Sequence, residues 1–148
     1  MDIFSKLLHL AAAVVWLGGM TFMLWALRPV AIAQLQPPLR IALLAGVMAR
    51  FFKFVWVSIA VLAATGLYAV ATVGMKAAPL GWHLMLGLGL VMFAIFGHLY
   101  FGPYRRLQQA TAQADWPLAG RQLARMHPWV WANCVLGWVA VAAVMLLR

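Results

Sequence analysis

Apolar residues in this chain come in long unbroken runs, with polar residues gathered between them. Four runs, at approximately 3–27, 51–73, 80–101 and 128–147, each exceed the roughly 18 residues that mark a membrane-crossing candidate. A segment in lipid must satisfy its backbone internally, and runs of this length are too long for barrel strands, which leaves helices. The expected fold is all-α: an integral membrane four-helix bundle, with residues 1–148 forming a single transmembrane domain. Pro29, Pro37 and Pro38 are expected to break the chain after the first run. The stretch 39–52 is apolar, with Arg40 and Arg50 spaced along it, so the second helix is predicted to begin early and project beyond the bilayer. Pro103 punctuates the end of the third helix. Asp115-Trp116-Pro117 reads as a helix start, with the acid near the cap and proline in the first turn. Beyond it, Arg121, Gln122 and Arg125 alternate with Leu118, Leu123 and Met126, predicting a short interfacial amphipathic helix between helices three and four.

Composition agrees with the pattern. The chain is 67% hydrophobic and 9% charged, outside the range of soluble domains. It has no fixed-period repeat, no low-complexity tract and no room for a soluble catalytic domain. A net charge of +9 would suit a nucleic-acid binder, but the distribution of that charge excludes one. Arg28, Arg40, Arg50 and Lys53 lie between helices one and two, and Arg105, Arg106, Arg121 and Arg125 between helices three and four. Both connections fall on the same side, and together they hold eight of the eleven basic residues; Lys6, Lys76 and Arg148 remain for the other. The positive-inside rule then puts both connections in the cytoplasm and both termini outside the cytoplasmic (inner) membrane. Contact with lipid headgroups accounts for the remaining role of these cations. The first run is read as a retained helix, because Trp16, Trp25 and the pair Arg28–Pro29 stand where a signal peptide would carry small residues. The single Cys134, inside helix four, allows no intramolecular disulfide.

The candidate chemistry is imidazole. His9, His83, His98 and His127 each fall inside or at the end of an apolar run, while the chain has only two carboxylates, Asp2 and Asp115. An ionisable group at membrane depth is costly and points to an ion path, a relay or a cofactor site, and neutral imidazole is the commonest side-chain ligand for transition metals and haem iron. Depth sorts the four into pairs. His9 and His83 lie near the outer face, whereas His98 is 15 residues beyond His83, roughly 22 Å deeper at 1.5 Å per residue. His127 marks the cytoplasmic entrance of helix four.

Helical periodicity gives each histidine its neighbours. His9 heads a stripe with Trp16, Met20 and Met23. His83 shares one with Gly87, Leu90, Ala94 and Gly97, small residues that let a flat macrocycle or another helix approach. His127 shares a face with Trp131, Cys134 and Trp138. Each stripe has a plainer account. Met and Trp fill gaps in packing, glycines serve helix contacts, His127 sits at headgroup level, and Cys134 is a small buried apolar residue.

Two resemblances bear on the choice. The stretch His9-Leu-Ala-Ala-Ala-Val-Val-Trp-Leu-Gly-Gly-Met, followed by Leu27-Arg28-Pro29, resembles the opening helix of CopD-type copper-resistance membrane proteins. Ala49-Arg-Phe-Phe-Lys-Phe, with Ala64-Thr65-Gly66-Leu67-Tyr68, resembles the second helix of that family, of which this chain is similar to a stand-alone domain. That resemblance implies copper handling in the cytoplasmic membrane. Gly81-Trp-His-Leu-Met-Leu, His98 and Tyr104-Arg-Arg resemble the third helix of HemJ-type protoporphyrinogen oxidases, which bind b-type haem. Here Met85 replaces the lysine of that family, and Arg125-Met126-His127-Pro128 replaces its Asn-Glu-x-Pro element.

Ligand chemistry leaves both metals open. Cu(I) is soft and favours thioether, thiolate and imidazole. A path from His9 and His83 through Met20 and Met23, ending near Cys134 or His127, suits it. A b-type haem would take its axial ligands from His9, His83, His98 and His127 and a slot along the helix-three glycines. Its propionates would meet Lys6 and Lys76 outside, or Arg50, Lys53 and Arg105 inside. A closed zinc site cannot be assembled from histidines split across two depths. Three functions follow: a copper-handling membrane protein, a haem redox protein (electron carrier or oxidase), and an accessory subunit whose chemistry belongs to a partner. Expected partners are the lipid bilayer, the metal or haem, a redox or metallochaperone protein, and further copies of the chain.

Overall fold

A computed structural model describes residues 2–147; Arg148, counted above among the outer cations, lies outside them. The four runs become four long helices: α1 (Ile3–Gln34), α2 (Pro37–Val73), α3 (Leu80–Ala112) and α4 (Trp116–Leu146), each long and apolar enough to cross a membrane. They contain 32, 37, 33 and 31 residues. At 1.5 Å per residue each is at least about 46 Å long, well beyond a hydrocarbon core of about 30 Å. The excess is mostly at one end. Up-down topology puts the α1–α2 and α3–α4 connections together, and the flanking turns carry Arg28, Arg40, Arg50, Lys53 and the four arginines around the second connection.

Helix ends follow local chemistry. The Asp2 carboxylate caps α1 by accepting the Ser5 amide at 2.8 Å, which holds the Asp2 pKa below its ordinary value. The Asp115 carboxylate caps α4, accepting from Leu118 N–H at 3.1 Å. Both carboxylates of the chain are therefore committed to helix caps. Leu35 turns extended and Pro37 opens α2, so the first connection is only Leu35 and Gln36. α2 stops at Gly74, whose φ of +82° favours glycine, and a short 3₁₀ turn, Met75–Ala77, leads to α3.

Three expectations about proline are corrected. Pro29 and Pro103 do not end helices. The chain widens into π-helical turns at Met23–Leu27 and Tyr100–Tyr104 and continues. Proline lacks an N–H and crowds the carbonyl four residues back, and a wide turn accommodates both defects. Pro128 lies within α4, so the amphipathic segment expected as a separate interfacial helix is instead the first three turns of the last membrane helix. Ala119, Met126, Asn133 and Ala140 are all buried on α4, and their seven-residue spacing keeps a single seam facing the bundle across that proline.

The helices pair as two antiparallel hairpins, α1 on α2 and α3 on α4, and α4 touches all three others. Gly137 marks their junction. A methyl group there would meet Leu17 of α1 at 2.8 Å and Met92 of α3 at 3.2 Å. α2 and α3 meet through rings: Phe52 lies edge-on to Phe96 at 5.2 Å and to Tyr104 at 4.7 Å, and Trp56 edge-on to Phe96 at 5.2 Å. The best-packed part of the bundle lies between the midplane and the basic end, around Trp16, Met20, Met48, Phe52, Phe96 and Leu99.

Candidate functional site

His9 is half-buried on α1 and faces α2, where its Nδ1 lies 2.7 Å from Thr65 Oγ1. The Thr65 hydroxyl also reaches the Val61 carbonyl, 2.7 Å away. With its hydrogen on that carbonyl, its oxygen accepts from His9 and Nδ1 carries the proton. Neutral His9 then keeps a free lone pair on Nε2. A histidine that donates one ring N–H to a fixed acceptor while the other nitrogen is free has the arrangement of a metal ligand with its orienting partner. Gly66 leaves room beside the ring, since a methyl group there would come only to 4.0 Å from Cε1.

Eleven and fourteen residues beyond His9 on α1, Met20 and Met23 are both buried. They line a core cavity of about 20 Å³ together with Trp16, Met48 of α2 and Asn133 of α4. A second cavity of about 30 Å³ lies toward the basic end and is lined by Met23, Met48, Arg28 and His127. The cavities share Met23, Met48 and Val130, so they adjoin, one in the core and the other beside His127.

The other histidines are placed differently. His83 is half-buried near the N-terminal end of α3 and lines neither cavity. His98 is exposed on α3 and lies against Trp129, ring centroids 5.3 Å apart. Trp129 is two residues from His127, about 200° around the helix, so His98 and His127 are matched in depth but lie on different faces. The glycine stripe of α3 also turns away from the bundle. Gly87, Leu90 and Ala94 are exposed, and methyl groups on Gly87 or Gly97 would meet nothing. α1 meets α3 instead through Trp16, stacked on Phe93 at 5.8 Å and edge-on to Phe96. Cys134 is fully buried on α4 with its Sγ 3.7 Å from Thr21 Oγ1, and it lines neither cavity.

Among the described residues no three His, Cys, Asp or Glu side chains cluster as a metal site. The neutral metal donors lining the two cavities are thioethers, one amide and one imidazole, which fit a soft monovalent ion. Neither cavity, at about 20 and 30 Å³, has room for a tetrapyrrole.

Three residues of this site, Thr65, Met48 and Asn133, are absent from the sequence-based selection. Asn133 had a usable signal, being the only asparagine in the chain and set within an apolar run. Met48 had a weaker one. It falls in register with Ile41, Leu44, Phe52 and Val55, the buried face of α2, in a stretch read as lying outside the bilayer.

The fold and its interior define a multi-pass helical membrane protein with a soft-donor core. Residues 45–147 match the family described as CopD, copper resistance protein D, over more than two thirds of the chain, and the chain belongs to that family. The match begins within α2, after the segment that carries His9, Met20 and Met23. No curated protein and no solved structure matches the chain.

Proposed function

We propose that this protein handles copper as Cu(I) within the cytoplasmic membrane, with both termini outside and both basic connections in the cytoplasm. His9 serves the outer end of the route, Met20 and Met23 the middle, and His127 the cytoplasmic end. The observation that carries this reading is the pair of adjoining cavities that links the buried methionines of α1 to His127. Copper is the cargo, and membership of the copper-resistance family supplies it independently of the geometry. The ligands are neutral, so the ion keeps its single charge, and a shell of polarisable sulfur offsets part of the cost of carrying it through hydrocarbon.

The test is cellular. Expression in a bacterial host lacking its own copper exporters should change total cell copper, measured by mass spectrometry, and change growth on copper. His9→Ala and the double substitution Met20→Leu/Met23→Leu should return both to the empty-vector values at equal membrane abundance. Cell copper and tolerance unaffected by the wild-type protein would reject the copper-handling reading.

A further inference from the structure

Asn133 is 1% exposed, in the middle of the bundle, and its Oδ1 has no hydrogen-bond partner among the described residues. An amide oxygen left this way forfeits its hydration without a replacement partner, so in a native core it calls for an explanation. It lines the same cavity as Met20, Met23 and Met48, three of the nine methionines in the chain, drawn from two different helices. A buried water is the first candidate occupant, and about 20 Å³ is room for one. The lining is poor for water, however. Only Asn133 and Trp16 carry a side-chain N or O there, short of the about three partners a buried water usually takes.

We infer that this cavity is a Cu(I) site, in which the thioethers of Met20, Met23 and Met48 bind the metal and the Asn133 amide oxygen completes the donor set. The inference rests on the copper reading above and gives it a definite station. Cu(I) matches three soft neutral donors in a way that Zn(II), Mg(II) or Ca(II) does not. Charge reinforces the selection. The cost of desolvating an ion grows with the square of its charge, so a divalent ion pays roughly four times the penalty of a monovalent one in the same dry cavity. No carboxylate is available to lower that penalty, because Asp2 and Asp115 cap helices. The rings of Trp16, Phe52 and Phe96 border the cavity as well, and an aromatic face attracts a cation. The metal enters and leaves as Cu(I), and no electron is transferred.

Position explains the donors' arrangement. Met23 stands at the first residue of the π turn, where the helix is locally wide, and it lines both cavities. Met48 lines both as well, so two of the three thioethers face the core station and the His127 station together. An ion bound in the core can therefore pass toward His127 by exchanging Met20 and Asn133 for imidazole without losing Met23 or Met48.

The experiment measures Cu(I) binding by the purified full-length protein in detergent, under anaerobic reducing conditions, against a chromophoric Cu(I) chelator. Ag(I) is used in parallel as a redox-inert probe. The wild type is expected to bind Cu(I) and Ag(I), with sulfur in the X-ray absorption spectrum of the bound metal, and to ignore Zn(II). Met48→Leu keeps the volume and removes the sulfur, and is expected to weaken binding at least about 10-fold, the lower end of what outer-shell changes alone cause. Met92→Leu, a buried methionine outside the cavity, controls for folding and should bind as the wild type does. Binding that survives the triple Met20/Met23/Met48→Leu replacement, or a bound metal with no sulfur neighbours, overturns the site. The cellular assay is read separately. Copper-dependent growth that persists in a Met48→Leu protein with undiminished Cu(I) affinity removes the site and leaves the copper reading intact. A sulfur-ligated site in a protein that does not alter cell copper leaves the site and removes the reading.

Discussion

Thr65 shows how one hydroxyl can set the chemistry of a residue 56 positions away. With its hydrogen on the Val61 carbonyl, it presents only lone pairs to His9 and so leaves the other imidazole nitrogen free. Thr65→Val keeps the shape and removes the acceptor. It is expected to lower Cu(I) affinity at the His9 end by about 10-fold or more, within the 10–100-fold range for lost orienting partners, while Thr65→Ser retains it. Titration of His9→Ala beside Thr65→Val separates the two roles, since an effect of the first without the second would refute the tautomer argument. Asn133 makes the opposite trade. Asn133→Leu replaces an unpartnered amide with a hydrocarbon of similar size, and should raise resistance to unfolding by about 1–2 kcal/mol while reducing Cu(I) retention. A variant that is both less stable and unchanged in binding would contradict that assignment.

At the scale of the helices, glycine positions separate packing from open surface. Gly81 holds the N-terminal end of α3 against the C-terminal end of α4. Its N–H donates to the Leu147 carbonyl at 3.0 Å, and a methyl group would come within 2.8 Å of that oxygen and 2.9 Å of the Ala143 oxygen. These are backbone atoms and cannot rotate aside. Gly81→Ala should therefore destabilise the bundle by about 1–3 kcal/mol, the usual cost of overpacking. Gly87→Ala, on the outward face of the same helix, should be neutral or gain up to about 1 kcal/mol from helix propensity. Denaturant titration followed by tryptophan fluorescence checks both. Equal effects would mean that the outward face of α3 is covered by something other than lipid.

For the whole molecule, orientation follows from where the cations gather. Gln36→Cys and Gln113→Cys, one in each basic connection, should both resist a membrane-impermeant thiol reagent in intact cells and react once the membrane is opened. Lys76→Cys, at the opposite end, should react from outside. Native Cys134 is fully buried and gives a quiet background. Labelling of the two connections from outside would invert the molecule and make His127, rather than His9, the outer end of the route.

Hydrophobic run length and charge placement are local quantities, and they were enough to establish four membrane helices, an up-down topology and a basic end. Membrane solvation acts on each helix separately, so a bundle of this kind announces its elements one run at a time. Proline behaviour was not local in this sense. Pro29, Pro103 and Pro128 read as helix boundaries, but neighbouring helices supply enough packing for the chain to continue through them, twice by widening into a π turn. The site was legible only in part. Periodicity put Met20 and Met23 on one face of α1 with His9. It could not say that this face meets α2 and α4 rather than the glycines of α3, because the rotation of each helix is fixed by interlocking side chains from different parts of the chain. Contacts such as Gly137 against Leu17 and Met92, or Phe52 against Phe96 and Tyr104, made that choice. By setting those rotations, tertiary packing turned the α3 glycines and His98 outward, brought Thr65 to His9, and closed Met48 and Asn133 around Met20 and Met23.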